Sequence, residues 1–188
     1  YWKPILIGMA IVFSYNVSDY MLLTYMPSHL QAVLNYGETK GLLLIIIIMM
    51  LMIPLVLLMG YLSDRIGNKR VVQGGMLGFC LLSLPAFILI GQGQSLLIFG
   101  GLMLLALCLT TFQGSLPSLL PSLFPTQVRQ AGLSITYNVS TSLFGGPTPV
   151  VMAWLIAKTK DNLIPAYFLI FAGIVGLLVV SLCVREIA

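Results

Sequence analysis

The sequence predicts an all-α integral membrane protein, and three observations carry that expectation. Hydrophobic residues fill 59% of the 188 positions, and charged residues only 7%, where a soluble domain carries roughly a quarter. Mean hydropathy is +1.05. The apolar residues are gathered into six runs of about the length that crosses a bilayer, at 5–34, 42–61, 71–90, 96–123, 130–157 and 164–184. Such a chain has too little polar surface to coat a soluble globule. A soluble enzyme, a nucleic-acid-binding domain and a disordered tail are therefore excluded. The net charge of +4 arises from so few ions that its placement matters more than its size.

Each run must be a helix, because lipid offers no partner for a free backbone amide. In the first, Asn16, Asp19, Tyr20, Leu23 and Pro27 share one stripe of the helical wheel. Asp19 is the one acid well inside a span; unpaired and ionised it would cost several kcal/mol. Pro27 removes a backbone donor and predicts a bend. His29, near the outer end, is expected as an interfacial side chain. The second run is almost wholly Leu, Ile and Met, with no polar side chain over 42–58, which also excludes an outer-membrane strand pattern. The third and sixth show only scattered glycines and isolated polar residues such as Gln73, Ser83 and Ser181.

The fourth run places Thr110, Gln113, Gly114, Pro117 and Pro121 on one stripe, and the fifth places Ser134, Asn138, Thr141, Ser142, Gly145 and Pro149. Pro117 and Pro121, and the Gly145-Gly146-Pro147-Thr148-Pro149 segment, are expected to distort their helices. A polar stripe inside a membrane faces protein or a wet cavity, although Ser and Thr also bond back to their own helix. Cys80, Cys108 and Cys183 lie in apolar runs without metal-type spacing and are expected as buried small hydrophobes. No metal or cofactor site and no nucleophile–base pair is expected. The opening Tyr1-Trp2-Lys3, without an initiator Met, suggests a piece of a longer protein.

With six spans both ends share one side. Lys3, Arg65, Lys69, Arg70, Arg129 and Arg185 fall on that side, and Lys40, Lys158 and Lys160 on the other. The termini, the 63–70 loop and the 124–129 loop are thus expected to be cytoplasmic.

The stretch Gly60-Tyr61-Leu62-Ser63-Asp64-Arg65-Ile66-Gly67-Asn68-Lys69-Arg70 resembles the G-x-L-[SA]-D-R-x-G-x-[KR]-[KR] signature of the major facilitator superfamily. Gly60 and Gly67 suit a tight turn and close helix approach. Asp64 suits a cationic partner, for which Arg129 is a candidate. The resemblance implies one six-helix half of a twelve-helix fold, here the C-terminal half, with the N-terminal half as missing partner. In such halves the first, second, fourth and fifth helices border the cavity; the polar-poor second span departs from that pattern.

Further matches run nearly the length of the chain: Tyr20-Met21-Leu22-Leu23-Thr24-Tyr25-Met26-Pro27-Ser28, Pro85-Ala86-Phe87-Ile88-Leu89-Ile90, Leu123-Phe124-Pro125-Thr126 and Pro165-Ala166-Tyr167. These resemble the proton-coupled proline/glycine-betaine osmolyte transporters of the metabolite:proton symporter family. The resemblance implies an inner-membrane symporter working by alternating access, with a small zwitterion and a proton as its ligands. Asn16, Asp19, Tyr20, Gln113 and Asn138 are the expected lining. Asp19 stands where that resemblance leads one to expect an uncharged, often aromatic residue. An acid suits a quaternary ammonium, with Tyr15, Tyr20 or Tyr25 adding cation–π contact. The alternatives are a symporter of organic acids of the shikimate, citrate or 2-oxoglutarate type, and a membrane sensor that keeps the carrier fold without transport.

Overall fold

Six helices, Trp2–Leu34, Glu38–Ile66, Asn68–Gly91, Ser95–Ser122, Arg129–Thr159 and Ile164–Cys183, are each long and apolar enough to cross a membrane. They belong to a computed structural model that describes residues 2–184; Arg185, counted above among the basic residues, lies outside the described residues. Short connections make sequential helices antiparallel. The fourth helix is central, with the second and third packed on it. The third also meets the sixth, the sixth meets the first, and the first meets the fifth. This ring is least closely packed between the second and fifth helices.

The second connection differs from the loop expected over 63–70. The second helix continues to Ile66 and the third begins at Asn68, so Gly67 alone turns the chain. Its φ of +96° lies where a Cβ would clash, which is why glycine is required there. The turn is pinned by Gly67 N–H donating to the Ser63 carbonyl at 2.9 Å and by the buried Ser63 hydroxyl donating to Asn68 Oδ1. Gly60 and Gly114 let the second and fourth helices touch backbone to backbone: a Cβ at Gly114 would stand 2.7 Å from the Gly60 nitrogen.

Elsewhere the helices join through a dry apolar core that includes Ile11, Met76, Phe79, Leu102 and Phe112. Small polar side chains bridge them. Ser14 donates to the Ala172 carbonyl at 2.6 Å, and Ser140 to the Met9 carbonyl at 3.2 Å. Gln73 of the third helix and Ser181 of the sixth satisfy one another, Gln73 Nε2 donating to Ser181 Oγ at 2.9 Å, while Ser83 bonds back to the Phe79 carbonyl. The second helix turns Met50, Ile53, Leu57 and Leu58 outward.

Proline acts differently in different helices. The first helix widens into a π-helical stretch at Tyr20–Tyr25, just before Met26 and Pro27. The fifth does the same at Thr141–Gly145, before Pro147 and Pro149, with Gly146 N–H reaching back to the Thr141 carbonyl at 3.0 Å. In both, the expected distortion is a wide turn rather than a break. The fourth helix, expected to distort at Pro117 and Pro121, instead stays α-helical from Ser95 to Ser122. Both prolines lie toward its C-terminal end, and the carbonyls they leave without a helical donor are those of Gln113 and Pro117.

Two further expectations are corrected. His29 is not interfacial but buried, with Tyr25 Oη 3.3 Å from Nδ1 and Phe87 meeting its ring edge-on. The outer end of the first helix packs on the second, which covers it. Of the cysteines only Cys108 is buried; Cys80 is half-buried and Cys183 is exposed near the end of the sixth helix.

Gly114→Ala should destabilise the protein by about 1–3 kcal/mol through overpacking. Gly60→Ala, whose Cβ would meet the Gly114 carbonyl oxygen at an ordinary 3.6 Å, should cost less. Unfolding midpoints in detergent micelles check both the loss and the order.

Candidate functional site

The gap in the ring is a cleft of about 480 Å³, and Tyr15, Val56, Gln113, Pro117 and Tyr137 are among the residues that line it. A second cleft of about 380 Å³ is bounded by Leu23, Met49, Met52, Ile53, Val56, Leu57 and Gln113. Gln113 and Val56 belong to both. Helix direction sets where each lies. Leu120, Pro121 and Leu133, which wall the first cleft, are near the helix ends on the side of the termini. Leu23 and Met49 lie toward the opposite side. Gln113 thus stands between two openings stacked along the helices.

Beneath Gln113 lies the acid of the first helix. Gln113 Nε2 donates to Asp19 Oδ1 at 3.3 Å and the Tyr15 hydroxyl also approaches that carboxyl, so the partners it has found are neutral. Tyr15, one turn earlier, sits beside Asp19, Gln113 and Tyr137. Its ring lies 6.4 Å from that of Tyr137 and 6.4 Å from that of Phe112. Among the described residues no cluster of three or more His, Cys, Asp or Glu could hold a metal ion.

The expected lining residues are only partly brought together. Gln113 faces both clefts, and Asp19 reaches them through it. Asn16 is buried and donates from Nδ2 to Thr141 Oγ1 at 3.0 Å, tying the first helix to the fifth. Tyr20 lays its ring on Gly145, where a Cβ would stand 2.8 Å from Cε2. Asn138 is exposed on the fifth helix and does not line either cleft. Of the other stripe residues, Thr110 bonds back to the Leu107 carbonyl at 2.8 Å, while Ser134 and Ser142 are exposed.

Sequence reasoning missed Tyr137 and Val56. The fifth-helix stripe was sought through amides and hydroxyls, whereas the wall is formed by the neighbouring pair Leu133 and Tyr137, one turn apart. The second helix carries no polar signal, yet it borders both clefts with apolar side chains. A wet passage needs only part of its wall to be polar.

At the Gly67 corner, Asp64 and Arg65 end the second helix and Lys69 and Arg70 begin the third. Asp64 is exposed. Arg65 rests its guanidinium 4.5 Å from the Tyr61 ring centroid. Arg129, the expected partner of Asp64, instead donates from Nε to the Phe124 carbonyl at 3.4 Å, closing its own loop.

Known proteins share this pattern. A family model described as Major Facilitator Superfamily matches residues 8–187. The Proline/betaine transporter of Escherichia coli (strain K12) is 43% identical over 178 residues, covering 95% of this chain and 35% of the relative. The Glycine betaine/proline/ectoine/pipecolic acid transporter OusA of Dickeya dadantii is also 43% identical, with the same coverage. The Proline/betaine transporter of Salmonella typhimurium is 41% identical, again over 95% of this chain and 35% of its own. The chain thus spans little more than a third of the length of these curated relatives. With six membrane-length helices and a family match over nearly every residue, the chain is a multi-pass membrane protein that belongs to the major facilitator superfamily.

Proposed function

We propose that this chain is the C-terminal half of a secondary active transporter that carries a small zwitterionic osmolyte, of the proline or glycine betaine kind, together with a proton by alternating access. The observation that carries this reading is the Asp19–Gln113 pair between two openings. A carboxyl at membrane depth must hold a proton, meet a cation or face water, and one at a passage can exchange these partners in turn. Taking up a proton at the carboxyl while the solute is bound beside it, and releasing both on the other side, is what couples a solute to a proton gradient in symport. The names of the relatives point to zwitterions with one positive nitrogen. A dicarboxylate fits less well, since no Lys or Arg lines either cleft.

In this reading the open gap between the second and fifth helices faces the N-terminal half, which completes the cavity. Asn16 and Tyr20 fix the first helix against the fifth, and Asn138 faces the other half. Asp64, Arg65, Gly67, Lys69 and Arg70 form a corner at the cytoplasmic surface of the inner membrane, Gly60 seats the second helix on the fourth and Arg129 closes the next cytoplasmic loop, with Asp64 left to pair across the two halves as they rock. The basic residues of this corner hold both ends of the chain inside.

The test is uptake by the complete carrier in proteoliposomes. Labelled glycine betaine or proline should accumulate under an inward proton gradient. Asp19→Asn should reduce the final level to that of the outside solution, because solute then moves without the proton. Accumulation at the unmodified level in Asp19→Asn would remove Asp19 from coupling. Residues 1–188 alone supply half of a cavity, so vesicles containing only this chain should take up no more labelled solute than protein-free vesicles.

A further inference from the structure

Of the eight tyrosines in the chain, three lie in the first helix and one in the fifth, and their contacts sort them. Tyr20 is spent on Gly145. Tyr25 is buried, its hydroxyl 3.3 Å from His29 Nδ1. Tyr15 and Tyr137 alone of the four line the larger cleft, and Tyr137 remains 40% exposed. Their ring centroids are 6.4 Å apart and the planes are inclined by 39°. Two rings set this way form a corner, and one cation seated in it can lie within about 6 Å of both centroids, the range in which a π-face attracts a positive charge. Asp19, held behind Gln113, adds negative potential on the same side.

The rest of that wall decides which cation fits. Apart from Tyr15, Gln113 and Tyr137 the lining is Val, Leu and Pro. A secondary ammonium brings two N–H groups that must find acceptors, and beyond the Gln113 carbonyl and the two phenol oxygens this wall offers none. A quaternary ammonium has no N–H; its methyl groups match the aliphatic wall and its charge is met by the rings. The cleft lies within the size range of small-molecule sites, roughly 300–1,000 Å³.

We propose that Tyr15 and Tyr137 form the ammonium-binding corner of this carrier and favour a fully methylated nitrogen over a secondary one. The solute then sits with its nitrogen against this half and its carboxylate toward the other. This rests on the carrier reading above, and the experiment separates the two. In proteoliposomes of the complete carrier, KM for glycine betaine and for proline is measured in the unmodified protein and in Tyr137→Leu and Tyr137→Phe. Tyr137→Leu should raise KM for glycine betaine about tenfold and that for proline less than about threefold. Tyr137→Phe, which keeps the ring, should recover most of the glycine betaine loss. Equal changes for both solutes, no change for either, or a Phe variant as poor as Leu would overturn the corner while leaving the carrier standing. Failure of the unmodified carrier to take up either solute would overturn both. If Tyr137→Leu does not insert into membranes, Tyr15→Leu and Tyr15→Phe make the same comparison with the same expected order.

Discussion

Lipid cannot form hydrogen bonds with the chain, so every polar side chain within a span must find its partner inside the protein. Most polar side chains buried in the spans meet this demand, in three ways. Ser83, Thr110, Thr111 and Ser122 bond back to carbonyls of their own helix. Ser14, Ser140, Asn16 with Thr141, and Gln73 with Ser181 bond between helices and act as fasteners. Asp19 and Gln113 bond to each other, but a carboxylate and an amide can make several bonds each, and this pair lies where the helices part. Two small hydroxyls, Ser115 and Thr136, are buried without a partner. The carboxyl–amide pair therefore stands apart from the other polar groups: it has capacity left over and a cleft beside it.

The same constraint bears on the two wide turns, while Pro54, Pro85, Pro117 and Pro121 sit in helices that stay α-helical. A proline within a membrane helix leaves a carbonyl without its donor, and water is not available to replace it. In the first and fifth helices a π-helical stretch precedes the proline, and the two stretches lie against each other's helices. Tyr20 enters the space that Gly145 leaves empty, and the Asn16–Thr141 bond crosses at the same level. One side of each irregular turn is thus packed on the other helix, while Ser142, Leu143 and Phe144 stay exposed.

The six helices were legible because a bilayer-crossing run is long, and composition alone reveals it. Their ends were less so: the polar stretch after Leu62 reads as a loop, yet backbone bonding persists through Asp64 and Arg65 until Gly67 turns the chain. The meeting of Asp19 and Gln113 was foreshadowed by their stripes, since each helix presents one polar face. The fate of Asn16 and Tyr20 was not, because a helical wheel gives direction but not which neighbour stands there. Tyr137 escaped for a chemical reason. An aromatic ring is apolar to a hydropathy scale and polar to a cation, so a periodicity of amides passes over it. His29 misled through its position: near a helix end it reads as wet, but Tyr25 and Phe87 enclose it.

In the proposed carrier this pair would change partners, and the geometry suits that. The first helix is fastened to the fifth by Asn16 and Thr141, and to the sixth by Ser14 and the Ala172 carbonyl. The second is held to the fourth by backbone contact at Gly60 and Gly114. Between these fastened pairs, at the floor of the cleft, the bond from Gln113 to Asp19 spans 3.3 Å, longer than the about 2.7–2.9 Å of a strong bond to an ionised group. A loose bond between rigid parts is the one that a competing donor displaces most readily. Breaking it disturbs no helix contact, because the fasteners lie elsewhere. In the proposed carrier, rigidity around a carboxyl held by neutral partners would serve such a change better than a tight ion pair, since a buried partner charge would have to be abandoned each time the acid took up or lost its proton.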